Sequence, residues 1–309
     1  MQLIDFGKSL LKGNRVFMDW YTSQEVSRYA RIFDIPDFTI KHIGNCRYQL
    51  TLSPRFGYDR DAYHPVYWYS CEERCWFTQI DGVKLRGSSN PTFTLINELR
   101  GYTLLRNLQR GDRVIDAGAS DGFITNYFAK IVGGRGRVIA LEPDPTATWR
   151  EKPANVIIVP ACLSKKTGKT KLDLRSFGGS HMSSHGVSVE SISLTELVRK
   201  YHLTKVAFIK LDIEGAELDV ATDLLKLVEN QPRLVVAIAS YHQVGGQESW
   251  HALESIAKKY RKVIAKTLYP YHATTYFVHK DNKKIRERLG KLVSFAKIYP
   301  QVWPRGEKS

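Results

Sequence analysis

The fold of this chain is decided by the stretch Val114-Ile-Asp-Ala-Gly-Ala-Ser-Asp-Gly-Phe-Ile-Thr125. Two apolar residues lead into the acid Asp116, a turn with Gly118 and Gly122 follows, and a helical apolar pattern comes next. A strand, a tight glycine turn and a helix in this order build the nucleotide pocket of an open α/β sheet, at the carboxyl edge of its strands. The stretch therefore predicts a nucleotide-type pocket at this edge.

The spacing of the two glycines narrows the class of ligand. The turn has the pattern Asp-x-Gly-x-x-x-Gly, whereas dinucleotide enzymes carry Gly-x-Gly-x-x-Gly, whose close glycines let main-chain N–H groups reach a pyrophosphate. An acid at the strand end with wider glycine spacing suits a cationic ligand without phosphate, and S-adenosylmethionine is such a ligand. A second acid, Glu142, ends the next apolar run and can accept hydrogen bonds from both ribose hydroxyls. The two acids together predict a class I methyltransferase pocket.

Strands and helices alternate after this stretch, and this alternation predicts a mostly parallel sheet. Two further runs, 170–174 and 187–191, are interpreted as edge strands. The predicted fold class is α/β, a Rossmann-like class I methyltransferase with a seven-stranded mostly parallel sheet whose last two strands form a closing hairpin. The seven core strands are expected near residues 113–116, 137–141, 156–160, 206–212, 234–239, 262–267 and 274–279.

The N-terminal part of the chain has a different pattern. Residues 1–36 indicate two short helices, residues 38–87 indicate β-hairpins, and Asn90 caps a helix predicted to reach Leu108. Aromatic and charged residues over 58–69 suit either stacking against a sugar or base, or a plain cap over the sheet. The predicted domains are an N-terminal helical and β-hairpin extension for acceptor recognition over 1–90, a methyltransferase core over 91–282, and a basic amphipathic C-terminal helix and tail over 283–309.

Charge and cysteine content limit the partners and the compartment. The chain carries 46 Lys and Arg against 31 Asp and Glu, a net charge of +15. This excess favours an anionic partner, such as nucleic acid, an acidic membrane face or a phosphorylated or acidic glycan, although a solvated basic surface explains it equally. Four cysteines are too few for a disulfide scaffold. The N-terminus lacks the apolar region of a signal peptide, so the cytoplasm is predicted, with peripheral contact at the inner membrane face as a further option.

Acids and a histidine follow the fourth and fifth core strands. Asp212 ends one apolar run and Glu214 comes soon after it, while His242 follows the run that ends at Tyr241. An alcohol is a poor nucleophile unless a base or a bound cation assists it. Two arrangements stay open, since Asp212 or His242 can be the general base, with Glu214 as a further candidate, or all three can surround Mg²⁺ or Mn²⁺.

Other candidate ligand contacts lie outside the strand tips. A Gly- and Ser-rich segment over 177–186 carries His181 and His185 and is interpreted as a mobile loop near a ligand. These histidines and Tyr241 are candidate substrate contacts. Cys162, which follows the third strand, is expected to border the adenine ring.

Several motifs resemble those of FkbM-type methyltransferases and occur in the same order. The most specific is Ile209-Lys-Leu-Asp-Ile-Glu-Gly-Ala-Glu217, and the others are Asp116–Gly122, Val138–Pro143 and Ala161–Ser164. The resemblance covers residues 95–280 and implies S-adenosylmethionine as methyl donor and O-methylation of a hydroxyl on a sugar, glycan, glycolipid or natural product. The predicted cofactor contacts are Asp116, Gly118, Ala119, Ser120, Gly122, Glu142, Cys162 and Asp212.

Two other functions stay open from the sequence alone. The charge and the aromatic residues suit a nucleic-acid methyltransferase acting on RNA, although the chain has neither a named RNA-binding module nor an Asn-Pro-Pro-Tyr-type tetrapeptide. A non-catalytic cofactor-binding or scaffold protein is the other alternative. It would be indicated if Asp212 and Glu214 pointed away from the pocket.

Overall fold

The computed structural model describes residues 16, 20, 21, 24, 38–44, 47–52, 65–92, 94–173, 181–182, 186–268 and 273–298. The chain divides into two compact units, Met1–Glu98 and Leu99–Ser309. The predicted domain boundaries are at residues 90 and 282, whereas this division falls after Glu98 and places residues 283–298 in the second unit. Within the described ranges, no helix has the length and apolar character needed to cross a bilayer.

The first unit contains a five-stranded antiparallel sheet in which each strand pairs with the next one along the chain. Side chains alternate between its two faces, as the two-residue period of a strand requires. Buried Tyr67 stacks on Tyr48 with ring centroids 5.6 Å apart, and Tyr69 meets Trp76 edge-on at 5.3 Å. These aromatics therefore form part of the interior of this unit, and residues 58–64 lie outside the described ranges. The strands are β1 Phe38–His42, β2 Arg47–Leu52, β3 Val66–Ser70, β4 Cys75–Ile80 and β5 Val83–Gly87.

The second unit begins with a short helix, α1 Arg100–Thr103, that follows a π-helical turn, Thr94–Leu99. The helix predicted from Asn90 therefore ends at Thr103 rather than at Leu108. The other helices are α2 Phe123–Val132, α3 Leu194–Lys200, α4 Glu217–Asn230, α5 Trp250–Ala257 and α6 Lys283–Ile298. The strands are β6 Arg113–Ala117, β7 Arg137–Leu141, β8 Val156–Val159, β9 Ala161–Ser164, β10 Gly168–Asp173, β11 His181–Met182, β12 Val187–Ser193, β13 Phe208–Leu211, β14 Val235–Ala239, β15 Gln243–Val244, β16 Gln247–Glu248, β17 Val263–Leu268 and β18 Thr274–His279.

Seven of these strands form one sheet in the order β17-β18-β14-β13-β6-β7-β8. The five strands from β14 to β8 are parallel, whereas β18 runs antiparallel to both β14 and β17. This confirms the predicted Rossmann-like sheet and its closing hairpin. The order reverses between β6 and β13, because β7 and β8 extend one way and β14 the other. Ligands of open α/β sheets bind at such a reversal, outside the carboxyl ends of the strands.

A separate four-stranded sheet has the order β11-β10-β12-β9. The runs near 170–174 and 187–191, expected as edge strands, are β10 and β12 of this smaller sheet. They leave the main sheet because β12 pairs in parallel with β9, where Ser191 lies opposite Cys162, and β10 pairs antiparallel with β12. Such pairings join distant segments, so local sequence patterns do not reveal them.

The basic C-terminal helix α6 has a buried apolar side. Ile285 and Leu289, one helical turn apart, are 0% and 5% exposed. The helix cations include Lys284, whose Nζ lies 3.2 Å from Asn107 Oδ1, and Arg286, which donates to the Lys280 carbonyl at 2.9 Å. The apolar positions of this helix are therefore used in packing within the second unit.

Candidate functional site

Three predicted acids lie at the carboxyl ends of adjacent strands. Asp116 belongs to β6, Asp212 follows β13, and Glu142 follows β7, which flanks β6 on the other side. The main-chain N–H of Asp212 donates to the carbonyl of Ala117 at 3.0 Å, so the tips of β6 and β13 are joined directly. Ser120 N–H donates to Glu142 Oε2 at 2.7 Å. The sheet therefore gathers the three acids along one edge, at its order reversal.

The glycine turn between β6 and α2 is packed too tightly for side chains. Gly118 has φ +75°, and a Cβ there would overlap the carbonyl oxygen of Asp212 and lie 2.9 Å from its carbonyl carbon. Gly122 has φ +79°, and a Cβ there would lie 2.6 Å from Cδ2 of the Trp149 ring. Both positions therefore require glycine for backbone conformation and for space.

The Asp116 carboxylate is fully buried and faces protein groups. Its Oδ2 accepts a 2.6 Å hydrogen bond from the Thr125 hydroxyl, and its Oδ1 lies 3.3 Å from Lys210 Nζ in an ion pair. Lys210 is itself buried and donates to the Gly118 carbonyl at 2.6 Å. Sequence reasoning did not single out Lys210, although a lysine within the apolar run of a parallel strand is a signal that could have found it.

Glu142 is half-buried and is held by main-chain donors. Its Oε2 accepts from Ser120 and its Oε1 accepts from the Asp144 N–H at 2.9 Å. Burial raises the pKa of this carboxyl group, while hydrogen bonds from Asp144 and Ser120 and the charge of Lys210 oppose the rise. The acid at the tip of β7 is thus fixed against the glycine turn.

His242 lies among three carboxyl groups near the end of β14. Its Nδ1 is 2.8 Å from Glu217 Oε1, and its Nε2 is 3.3 Å from Glu214 Oε2 and 3.6 Å from Asp212 Oδ1. Glu214 has φ +55°, and Glu217, the first residue of α4, is fully buried and accepts the Ile213 N–H at 3.2 Å. The structure therefore brings together the predicted Asp212, Glu214 and His242 and adds Glu217.

These carboxyl groups change the charge state of His242. Burial alone would lower its pKa, but the contacts with Glu214 and Glu217 and the charges of Glu217 and Asp212 outweigh burial and raise the pKa to about 10. With protein groups alone around it, the imidazole is protonated at neutral pH. A protonated imidazole has no lone pair with which to accept a proton.

Two tyrosines complete the surroundings of Asp212. The Tyr102 hydroxyl donates to Asp212 Oδ2 at 2.8 Å, and the Tyr241 hydroxyl lies 3.5 Å from Oδ1. Tyr102 comes from α1 and is buried. Tyr241 was a predicted substrate contact and lies at the cluster, whereas nothing in the sequence around Tyr102 indicated its contact.

Another predicted contact, Cys162, is not part of this cluster. Cys162 lies on β9 of the smaller sheet and packs with Leu172 and Val189. Burial raises the pKa of its thiol. The backbone of His181 lies in β11, and His185 is outside the described residues. Their predicted roles at adenine and substrate stay predictions.

Comparison with known proteins gives one family match. Residues 116–264 match the family model described as the methyltransferase FkbM domain. No curated protein matches the chain.

Solved structures with a similar course of the chain have low sequence identity to this protein. An S-adenosylmethionine-dependent methyltransferase from Aquifex aeolicus is 14% identical over 61% of this chain and 92% of its own, with a TM-score of 0.38. The Methanococcus jannaschii fibrillarin pre-rRNA processing protein is 14% identical over 79% of this chain and 98% of its own, with a TM-score of 0.39. The O-methyltransferase TomG from Streptomyces achromogenes is 12% identical over 62% of this chain and 80% of its own, with a TM-score of 0.37.

The family match falls on the part of the chain that carries the glycine turn, the acid at the tip of β7 and the carboxyl cluster after β13. Residues 116–264 are therefore a methyltransferase FkbM domain, and the protein is an S-adenosylmethionine-dependent methyltransferase.

Proposed function

We propose that this methyltransferase transfers its methyl group to a hydroxyl of a sugar, glycan or glycolipid. The observation that supports O-methylation is the group of Asp212, Glu214 and His242 beside the glycine turn, since a hydroxyl needs help to lose its proton. The sulfonium methyl group is already activated, so the enzyme has to align the acceptor and accept that proton. The sugar class comes from the resemblance to FkbM-type enzymes.

The cofactor is proposed to bind on the glycine turn between β6 and α2. Main-chain groups of Gly118, Ala119 and Ser120 line the turn, and Glu142 at the tip of β7 is the group for the ribose hydroxyls. In the protein alone, Glu142 accepts hydrogen bonds from Ser120 and Asp144, which hold it at the turn. Asp212, whose carbonyl touches Gly118, then lies where the methyl group meets the acceptor.

Asp212 is proposed as the general base. Its Oδ2 is occupied by the Tyr102 hydroxyl at 2.8 Å, whereas the contacts of Oδ1 with Tyr241 and His242 are longer, at 3.5 and 3.6 Å. His242, with its pKa raised to about 10, is the cation that keeps the neighbouring carboxylates in place. Glu214 then helps to orient the acceptor hydroxyl.

A second arrangement, with a divalent cation, has its own support in the position of His242 Nε2. This nitrogen is buried between the carboxylates of Glu214 and Asp212, at 3.3 and 3.6 Å, and neither contact has hydrogen-bond geometry. One donor atom each from Asp212, Glu214 and His242 lies within 4.8 Å of the others. Ligands at ~2.1 Å on neighbouring positions of an octahedral ion are about 3 Å apart. The 3.3 Å and 3.6 Å separations fit this spacing after small side-chain shifts.

The surroundings of His242 also suit a metal ligand. A ligating histidine commonly donates its other ring N–H to a carboxylate, which fixes its tautomer and orientation. Glu217 offers such a partner to Nδ1 at 2.8 Å. Two carboxylates and one imidazole suit Mn²⁺, and Mg²⁺ less strongly. A cation bound there would lower the pKa of the acceptor hydroxyl.

The acceptor class can be tested with labelled methyl transfer. The purified protein is incubated with S-adenosylmethionine carrying a tritiated methyl group and with either a lipid-glycan extract or total RNA. We expect label in the glycan fraction that resists mild base, as an ether does. Label that appears in RNA alone would contradict the proposal and would support the nucleic-acid alternative suggested by the net charge of +15.

Glu217→Gln tests the cation arrangement. If Mn²⁺ binds, this variant should weaken its affinity by about 10- to 100-fold, because the amide supports His242 less well than a carboxylate does. Electron paramagnetic resonance of free Mn²⁺ gives the affinity, and the exposed Glu190→Gln on β12 is the matched control. No Mn²⁺ binding by the wild type, with methyl transfer unchanged in EDTA, would leave Asp212 as a metal-free base.

A further inference from the structure

We infer that Lys210 is a positioning residue that sets the shape of the cofactor-binding turn, with Asp116 as its buried counter-ion. The inference rests on the proposal that the glycine turn holds S-adenosylmethionine. It gives Asp116 an indirect role, through Lys210, in place of the direct cofactor contact that its position in the sequence suggested.

The first support is the cost of burying Lys210. Its side chain is 3% exposed and that of Asp116 is 0% exposed, and the two residues lie side by side near the carboxyl ends of adjacent parallel strands. A buried charge is tolerated only when it is paired and hydrogen-bonded. Apolar residues of similar size would fill this space at lower cost. An ion pair between β6 and β13 therefore needs a reason beyond packing.

The second support is the target of the ammonium group. Lys210 Nζ donates to the Gly118 carbonyl at 2.6 Å and lies 3.5 Å from the Ala117 carbonyl. These two carbonyls belong to the point where β6 ends and the turn begins. On the other side of the turn, Glu142 accepts the Ser120 N–H at 2.7 Å. The turn is therefore held by a cation on its carbonyl side and by a carboxylate on its N–H side.

The third support is the link from Lys210 to the proposed acceptor site. The Tyr102 ring centroid lies 5.3 Å from Lys210 Nζ, in cation–π range, and the Tyr102 hydroxyl holds Asp212 Oδ2 at 2.8 Å. Gly118, which Lys210 fixes, also packs against the Asp212 carbonyl. Lys210 thus contacts the groups that orient both the cofactor turn and the proposed base.

The test compares two variants that differ only at position 210. Lys210→Met alone would leave Asp116 buried without its counter-ion and could prevent folding, so the pair is Asp116→Asn and Asp116→Asn/Lys210→Met. The amide introduced at position 116 can still accept the Thr125 hydroxyl, and the double variant has no buried charge at this place. Lys226→Met, on the exposed side of α4 beside Asp223, controls for the loss of a lysine. Calorimetry with S-adenosylmethionine and thermal unfolding are measured for each protein.

We expect the double variant to unfold near the wild-type temperature but to bind S-adenosylmethionine about 10- to 100-fold more weakly, as loss of a buried charged hydrogen bond predicts. Asp116→Asn leaves the Lys210 cation without its counter-ion and should unfold at a lower temperature. Below that temperature it keeps the contact of Lys210 with the Gly118 carbonyl and should bind more tightly than the double variant, and Lys226→Met should bind like the wild type. Equal affinity of the double variant and the wild type, or of the double variant and Asp116→Asn, would overturn the inference. A wild type that binds no S-adenosylmethionine would instead remove the cofactor assignment on which the inference rests.

Discussion

Asp212→Asn is expected to lower the rate of methyl transfer by about 10²- to 10⁴-fold, the usual contribution of a positioned general base. The asparagine side chain has the same shape and still offers an oxygen to the Tyr102 hydroxyl, which holds Asp212 Oδ2 at 2.8 Å. What it loses is the ability to take a proton from the acceptor. Cofactor affinity should change little, because Asp212 meets the glycine turn through its main chain.

The rate is best measured in a single turnover with enzyme in excess over labelled S-adenosylmethionine, so that product release does not mask the chemical step. Asp223→Asn is the matched control. Asp223 lies on α4 in the same unit, and its carboxylate pairs with Lys226 at 3.8 Å, away from the proposed base. This control should keep the wild-type rate.

Two results would move the assignment away from Asp212. A wild-type rate in Asp212→Asn together with a large loss in Glu214→Gln would make Glu214 the base. A loss in Asp212→Asn that is matched by an equal loss of S-adenosylmethionine affinity would show that the side chain serves cofactor binding. In that case the proton has to be accepted by another group of the cluster.

The sheet could be predicted from the sequence because its strands are buried on both faces. Such strands appear as short, mainly apolar runs. The strands β7, β13 and β14 each end just before a polar or charged residue, and β6 carries Asp116 one residue before its end. Parallel strands bring their carboxyl ends to one edge. The gathering of Asp116, Glu142 and Asp212 followed from these two facts.

The partners of those acids could not be predicted in the same way. Tyr102 is separated from Asp212 by 110 residues and Lys210 from Gly118 by 92, and only the packed fold sets these contacts. Glu217 is the first residue of α4, where a helix dipole by itself accounts for an acid. Its 2.8 Å contact with His242 depends on how β14 lies beside α4.

Gly118→Ala is expected to have the largest effect on stability. The added Cβ would overlap the Asp212 carbonyl oxygen, and alanine would also have to adopt φ +75°. The left-handed conformation alone costs about 1–2 kcal/mol. The overlap adds a further cost, because β6 and β13 are neighbouring parallel strands and their tips are joined by the Asp212 N–H and the Ala117 carbonyl. We expect a total loss of several kcal/mol in the free energy of unfolding, as for other overpacked core sites.

Gly111→Ala separates the two costs. Gly111 has φ +92°, and a Cβ there would have nothing within 4 Å, so this variant should lose only the conformational part. Urea unfolding of both variants gives the difference, which we attribute to the overlap between β6 and β13. Whatever folded Gly118→Ala protein remains should bind S-adenosylmethionine poorly and transfer methyl groups slowly, since the overlap displaces both the turn and Asp212. Equal losses of stability in the two variants, with activity retained in Gly118→Ala, would mean that the cofactor turn and the proposed base are not packed against each other in the working enzyme.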